Sequence, residues 1–276
     1  MSESPVNYRI EGGVGVITLN RPDKLNAWTA DMDELVYGFM REASADDAVR
    51  VILFTGAGRG FCAGADMENL KQIQSRGSQG NTGMRSEQVD RRIEADVPAD
   101  FGLRYTYFPS VPKPIIGAIN GVTAGIGMVI ALYCDVRIWS DAARMSTVFA
   151  KRGLIAEHGI AWMLQRLIGP SRAAELLFSA RFLHADEALE MGLANAVFPA
   201  ESFAQNALSY AADWATTVSP RSLRVMKRQL WNDAFSTLTE AVERGNSEMV
   251  SSFDTEDFKE GLAHFLEKRA PRFTGR

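Results

Sequence analysis

Three short stretches of this chain combine residue types that suit chemistry on a carbonyl compound. In the first, Gly60-Phe61-Cys62-Ala63-Gly64-Ala65-Asp66-Met67 follows an apolar run, Val51-Ile52-Leu53-Phe54-Thr55-Gly56, that reads as a buried strand. Met67 to Gln74 reads as the start of a helix. Small residues between strand and helix leave bare backbone N–H groups at a helix N-terminus, where negative charge is favoured. The second stretch repeats the logic: Pro114 to Ile119 as a strand, Asn120 to Gly127 as a glycine-bearing turn, Met128 to Leu132 as an apolar helix. Two such turns could supply two donors to one carbonyl oxygen, an arrangement that stabilises an oxyanion. The third, Gly153-Leu154-Ile155-Ala156-Glu157-His158-Gly159, carries Glu157 in otherwise apolar surroundings before a helix. Burial would raise the pKa of Glu157 and a helix N-terminus would lower it. A proton-transferring base, a helix cap and an ion-pair partner are all open to it. His158 is the weaker candidate, because a neighbour on a helix usually faces elsewhere.

Composition narrows the field. A chain of 276 residues with 46% apolar and 23% charged residues has the ordinary make-up of a globular enzyme with a large core. The net charge of −4 gives no electrostatic attraction to nucleic acid. No apolar run approaches the ~20 residues of a membrane span, and the N-terminus resembles neither a signal nor a transit peptide. The expected location is the cytoplasm. Cys62 and Cys134 are too few for a disulfide framework or a zinc site, and no metal centre is expected. Cys62 reads as a small buried hydrophobe in preference to a reactive thiol.

The elements that must position these stretches are legible in outline. Tyr8 to Glu11 and Val14 to Leu19 alternate around Gly12-Gly13 as a hairpin. A helix capped by Thr29 or Asp31 runs to about Ala43, with Met32, Leu35, Val36, Phe39 and Met40 at helical spacing. Between Ser75 and Ser110 the pattern weakens. Ser75 to Gly83 is loop-like, Arg85 to Ala95 is charged and could be helical, and Phe101, Tyr105, Tyr107 and Phe108 form an aromatic cluster. A long insertion of this kind serves as a lid or pocket wall, or as a surface excursion anchored by its aromatics. A strand is predicted over Asp135 to Trp139. Helices are predicted over His158 to Leu167, Ser171 to Ser179 and Ala185 to Met191, the last closed by Gly192. Beyond Pro199 only helices remain, at Phe203 to Thr216, Pro220 to Trp231, Leu238 to Ser251 and Thr255 to Lys268. This order predicts an α/β core over 1–199 with a helical appendage over 200–276.

Five segments, in order, resemble the crotonase, or enoyl-CoA hydratase/isomerase, superfamily. They are Asn20-Arg21-Pro22 with Leu25-Asn26-Ala27, Phe61 to Asp66, Pro114 to Gly121, Asp186 to Leu193, and Glu260 to Arg269. Each is weak alone; together they span nearly the whole chain. The resemblance implies a ββα spiral core, a C-terminal helical domain that packs around neighbours, and homotrimers or dimers of trimers. It also implies an acyl-CoA thioester substrate, an enolate-like intermediate, and no permanently bound cofactor, coenzyme A entering only as part of the substrate. Position by position, the thioester oxygen falls to the backbone N–H groups of Ala65 and Ile126. Lys24, Leu25, Ala27, Ala63 and Asp66 match the region that lines the coenzyme. Lys268 matches a C-terminal position that reaches its phosphates. Helix capping by Asp66 and plain solvation of Lys24 are the competing readings of those two residues.

The resemblance also raises the acid/base question. Hydratases of the superfamily use two glutamates, and the matching positions here are Val129 and Phe149. Neither side chain carries a proton. Glu157 instead resembles the single glutamate of the Gly-Leu-x-x-Glu segment in Δ3,Δ2-enoyl-CoA isomerases, which shuttles a proton between two carbons. A one-base isomerisation needs a base, an oxyanion hole and a water-poor pocket. The competing readings are a hydratase, hydrolase or lyase with its acid and base elsewhere, and a non-catalytic acyl-CoA binder. RNA binding, known in the superfamily, is disfavoured by the acidic balance. Trp28, Tyr105, Phe149 and Trp162 could shape a bulky acyl pocket, although large aromatics more often belong to the core.

Overall fold

In a computed structural model, which describes residues 4–76 and 90–276, the alternation of the hairpin becomes β1 (Val6–Glu11) paired antiparallel with β2 (Val14–Leu19). The sheet continues in parallel through β3 (Val51–Gly56), β5 (Ile115–Ile119), β7 (Val136–Ser140) and β10 (Ala196–Phe198), in the order β1-β2-β3-β5-β7-β10. Its central strands β2, β3 and β5 are apolar on both faces because both faces are covered, while the edge strand β1 is mostly exposed. The period of two sorts them: Ile17, Leu19, Ile52, Phe54, Ile115, Ile119 and Trp139 enter one core, while Val14, Val16, Val51, Leu53, Ile116, Ala118 and Ile138 enter a second. The first core is closed by α1 (Ala30–Ala45) through Met32, Val36, Met40 and Ala43. Thr29 caps α1, its hydroxyl accepting from the Met32 N–H at 3.3 Å, and it settles the cap that the sequence left between Thr29 and Asp31.

A second, smaller sheet was not legible in advance. It is built from β4 (Gly60–Cys62), β6 (Val122–Ala124), β8 (Arg144–Ser146) and β9 (Leu183–His184), in that order, parallel except for β9. Strands of two or three residues carry no measurable alternation, so Val122 to Ala124 passed for part of a turn. This sheet matters because β4 and β6 end at the two glycine-bearing turns.

The helices follow the sequence with small shifts. They are α2 (Met67–Arg76), α3 (Ile126–Tyr133), α4 (Ile160–Ile168), α5 (Pro170–Ser179) and α6 (Ala185–Glu190). Helix α4 starts two residues later than predicted. His158 and Gly159 both take left-handed backbone angles (φ 52° and 76°), which helix-forming residues do not adopt. The possible helix over Arg85 to Ala95 does not form in its described part, Asp90 to Ala95; residues 85–89 lie outside the described chain, as do 77–83 of the predicted loop. Ser75 belongs to α2. The described part of the excursion is tied to α1: Arg91 and Arg104 both reach the buried Asp33, at 3.0 and 2.8 Å. Tyr105, Tyr107 and Phe108 are buried in the first core.

After β10 the chain is helical: α7 (Phe203–Thr217), α8 (Pro220–Asp233), α9 (Leu238–Ser252) and α10 (Glu256–Glu267). Helix α7 covers β2 and β3, its Phe203, Ala207, Ala211 and Ala215 recurring every fourth residue and sealing the second core. Helix α8 is fastened by an ion pair between the buried Lys227 and the half-buried Asp135. Lys227 Nζ lies 2.7 Å from Asp135 Oδ2, and the Trp231 indole donates to Asp135 Oδ1 at 3.1 Å. Helices α9 and α10 carry exposed apolar side chains, among them Leu238, Val250, Phe265 and Leu266.

Candidate active site

The two turns meet. Gly64 has φ 104° and Gly125 has φ 51°, backbone angles that side chains rarely tolerate. A Cβ built on Gly64 would lie 3.1 Å from the Ala124 carbonyl and 4.0 Å from Gly125 Cα. Ala65 and Ile126 are the next residues in the two turns. The Ala65 turn is held from behind by Trp28, whose N–H donates to Gly64 O at 2.8 Å and whose carbonyl accepts from Asp66 N–H at 3.0 Å. That parallel bridge uses the flanking groups and leaves the Ala65 N–H out. Ile126 opens α3, so its N–H precedes the first helical bond, from Val129 N–H to Gly125 O.

The segment before Trp28 wraps the same turn. Lys24 ends a short 3₁₀ turn and is exposed. Leu25 and Asn26 both take left-handed angles (φ 48° and 56°), and the Leu25 carbonyl accepts from Ala63 N–H at 3.0 Å. Leu25 thus lies against the end of β4 and Ala63, with Lys24 before it and Ala27 two residues after it in the chain. Asn26 organises them. Fully buried, it accepts from Arg21 N–H at 2.8 Å and donates to Ala57 O at 3.0 Å and Gly60 O at 2.7 Å. Asp66 is engaged twice: it accepts from Glu68 N–H at 3.0 Å, capping α2, and pairs with Arg21 at 3.0 Å. The Glu68 N–H, followed by Arg21, holds the Asp66 carboxyl below the usual carboxylate range. Lys268 stands apart. It caps α10 in a left-handed conformation (φ 53°) and is exposed.

Glu157 lies on the flank of α3. The Tyr133 hydroxyl donates to the His158 carbonyl at 3.0 Å and so pins the loop that carries Glu157. Val129 precedes Tyr133 by one turn on the same face of α3, and side chains on a helix lean toward its N-terminus, toward Ile126. Val129 is buried, as is Phe149, whose ring comes within 4.0 Å of a Cβ built on Gly125. Partial burial pushes the Glu157 carboxyl above its ordinary value. His158 Nε2 stands 3.7 Å from Glu157 Oε2, and burial pushes the imidazole down to about 4, so it is neutral near pH 7. The His158 ring meets Tyr105 edge-on at 4.5 Å, and Tyr105 meets Trp28 at 6.4 Å. Of the four aromatics considered for the pocket, Trp28, Tyr105 and Phe149 are core residues, and Trp162 stacks on Phe235. Cys62 is buried, its thiol pushed up to about 12, which suits a packing role.

Arg21, Asn26 and Tyr133 are positioning residues that sequence reasoning passed over. Asn26 had a signal: an asparagine closing a proline-started turn is a common left-handed residue. Tyr133 had none, because its partner is a backbone carbonyl 25 residues away.

Residues 9–276 match the family described as enoyl-CoA hydratase/isomerase, and the chain belongs to that family. It is an acyl-CoA enzyme of the crotonase superfamily with the mixed α/β fold of that group. Among its relatives, it is 33% identical over 267 residues to the 1,2-epoxyphenylacetyl-CoA isomerase of Escherichia coli, covering 97% of each chain. It is 32% identical over 262 residues to the short-chain-enoyl-CoA hydratase of Clostridium acetobutylicum, covering 94% of this chain and 93% of that one. The solved structure of enoyl-CoA hydratase subunit I from Geobacillus kaustophilus superposes with a TM-score of 0.86 at 31% identity, covering 99% of both chains. No helix among the described residues is long and apolar enough to cross a membrane.

Proposed function

We propose that the protein moves a double bond in an acyl-CoA from the 3,4 to the 2,3 position, with Glu157 as the single base. The Glu157 carboxylate takes a proton from C2 of a 3-enoyl thioester. The electrons pass into a dienolate whose oxygen is held by the N–H groups of Ala65 and Ile126, and Glu157 then returns the proton to C4. The observation that carries this reading is the set of side chains around α3. Where hydratases place two glutamates stand the buried Val129 and Phe149, while Glu157 remains as a carboxylate with a raised pKa. A carboxylate destabilised in its charged form is a better base at neutral pH than an ordinary one. Lys24, Leu25, Ala27, Ala63 and Asp66 are assigned to the coenzyme, with Lys268 reaching the phosphates. The names of several relatives favour a second reading, hydration of 2-enoyl thioesters, which would need an acid and base other than Val129 and Phe149. A panel of 2-enoyl and 3-enoyl thioesters, followed for conjugation and for water uptake, separates the two: isomerase activity without water uptake is expected, and efficient hydration with 3-enoyl thioesters ignored would overturn the proposal.

The division into a core over 1–199 and a helical domain over 200–276 is proposed with one qualification. Helix α7 seals the second core, so the assembly surface belongs to α8–α10. Their exposed Leu230, Leu238, Phe265 and Leu266 support a homotrimer or dimer of trimers, and the location proposed for it is the cytoplasm. Sedimentation should find no stable monomer at micromolar concentration; a monomer there would refute the assembly.

A further inference from the structure

We propose that Trp28 reads a hydrogen-bond acceptor on the acyl group, so that the preferred substrates are thioesters whose acyl chain carries an oxygen. The inference rests on the acyl-CoA reading above and names its substrate class. Trp28 is 4% exposed, and its indole N–H is buried with no acceptor. Folded proteins keep few such donors, because water would otherwise satisfy them. Two others exist among the described residues, Tyr8 Oη and Trp139 Nε1. Tyr8 stacks on Phe39 of α1, and Trp139 lies inside β7; neither adjoins the two turns.

Trp28 differs by its place. Its backbone is bonded on both sides of Ala65, and residues paired across a bridge project to the same face. From there a run of contacts leads to the candidate base: Trp28 meets Tyr105, Tyr105 meets His158, and His158 stands beside Glu157. The unsatisfied donor and the candidate base are therefore joined by this run of contacts. A phenylalanine would fill the same space without burying a donor. An acyl oxygen accepting from Trp28 would satisfy the N–H only when substrate is bound, and a site built to donate discriminates against analogues that lack the acceptor.

The test uses saturated thioesters, which have no double bond to move and so report binding alone. Affinities of hexanoyl-CoA and of its 4-oxo and 5-oxo counterparts are measured for the wild type and for Trp28→Phe. The wild type should favour at least one oxo thioester over hexanoyl-CoA, and Trp28→Phe should reduce that ratio roughly 2- to 13-fold, the range of one neutral hydrogen bond. An unchanged ratio across the series overturns the inference. If Trp28→Phe does not fold, the indole ¹H–¹⁵N resonance of Trp28 in the wild type decides, assigned by substituting the other four of the five tryptophans in turn. A downfield shift with an oxo thioester and none with hexanoyl-CoA supports the inference; identical shifts refute it. Failure of every CoA thioester to bind would instead remove the acyl-CoA reading itself.

Discussion

Asn26 is the residue whose removal the structure prices most clearly. Asn26→Ala deletes three hydrogen bonds: one accepted from Arg21 N–H and two donated, to Ala57 O and Gly60 O. Gly60 O keeps a second donor, Asn120 Nδ2 at 3.2 Å, so two backbone groups are left unmet. Both belong to half-buried residues, so at about 0.5–1.5 kcal/mol for each hydrogen bond lost the cost is about 1–3 kcal/mol. Alanine is also less at ease than asparagine at φ 56°, which adds a further ~1 kcal/mol. The damage should extend to the site, because the loop that Asn26 ties down carries Leu25, whose carbonyl holds Ala63, and Trp28, whose backbone holds Ala65. Asn26→Asp refines the test. It keeps the acceptor for Arg21 N–H but sets carboxylate oxygens against two carbonyls, so it should be no milder than Asn26→Ala. Urea denaturation at fixed protomer concentration reads the stability, and a titration with a CoA thioester reads the site. A loss below ~1 kcal/mol for Asn26→Ala, or an Asn26→Asp variant as stable as wild type, would show that packing alone holds the loop and refute this account.

The ion pair that fastens α8 should be sensitive too: Lys227→Met takes the cation from Asp135, which is half-buried and keeps the Ile115 N–H and the Trp231 indole as donors, and is expected to cost about 1–3 kcal/mol, read as a lower urea midpoint. The rate should also depend on pH through Glu157. A base works when ionised, and burial raises its pKa, so kcat/KM should fall as pH drops through a value above that of an ordinary glutamate. His158, pushed down to about 4, adds no limb between pH 5 and 8. A limb at or below the ordinary glutamate value, or an inflection near 6.5 that His158→Gln removes, would contradict the assignment.

Most of the large sheet was legible because β2, β3, β5 and β7 are five- or six-residue, largely apolar runs and β1 alternates into a hairpin, whereas the three-residue β10 left no such signal; the helices were legible because their apolar residues recur at helical spacing. The small sheet was not, since three-residue strands such as Val122–Ala124 exist only by virtue of their neighbours. At the site, glycine-bearing turns between strand and helix are a local signal, and both turns were found. Their meeting at Gly64 and Gly125 is a tertiary fact. The same holds for Asp66, whose partner Arg21 is 45 positions away along the chain, and for the Tyr133 hydroxyl on the His158 carbonyl. Charge and burial at Glu157 could not be weighed in advance because its neighbours, Tyr105 through His158 among them, come from a distant excursion.

The central claim is that one carboxylate, Glu157, moves the proton. Its most direct test is turnover of a 3-enoyl thioester by Glu157→Gln beside the wild type, with thioester affinity measured in parallel. Glutamine keeps the shape and most of the hydrogen bonding but cannot accept the proton. Conjugated product should therefore appear about 10²–10⁴-fold more slowly, while the thioester binds as before. Full isomerase activity in Glu157→Gln would contradict the account.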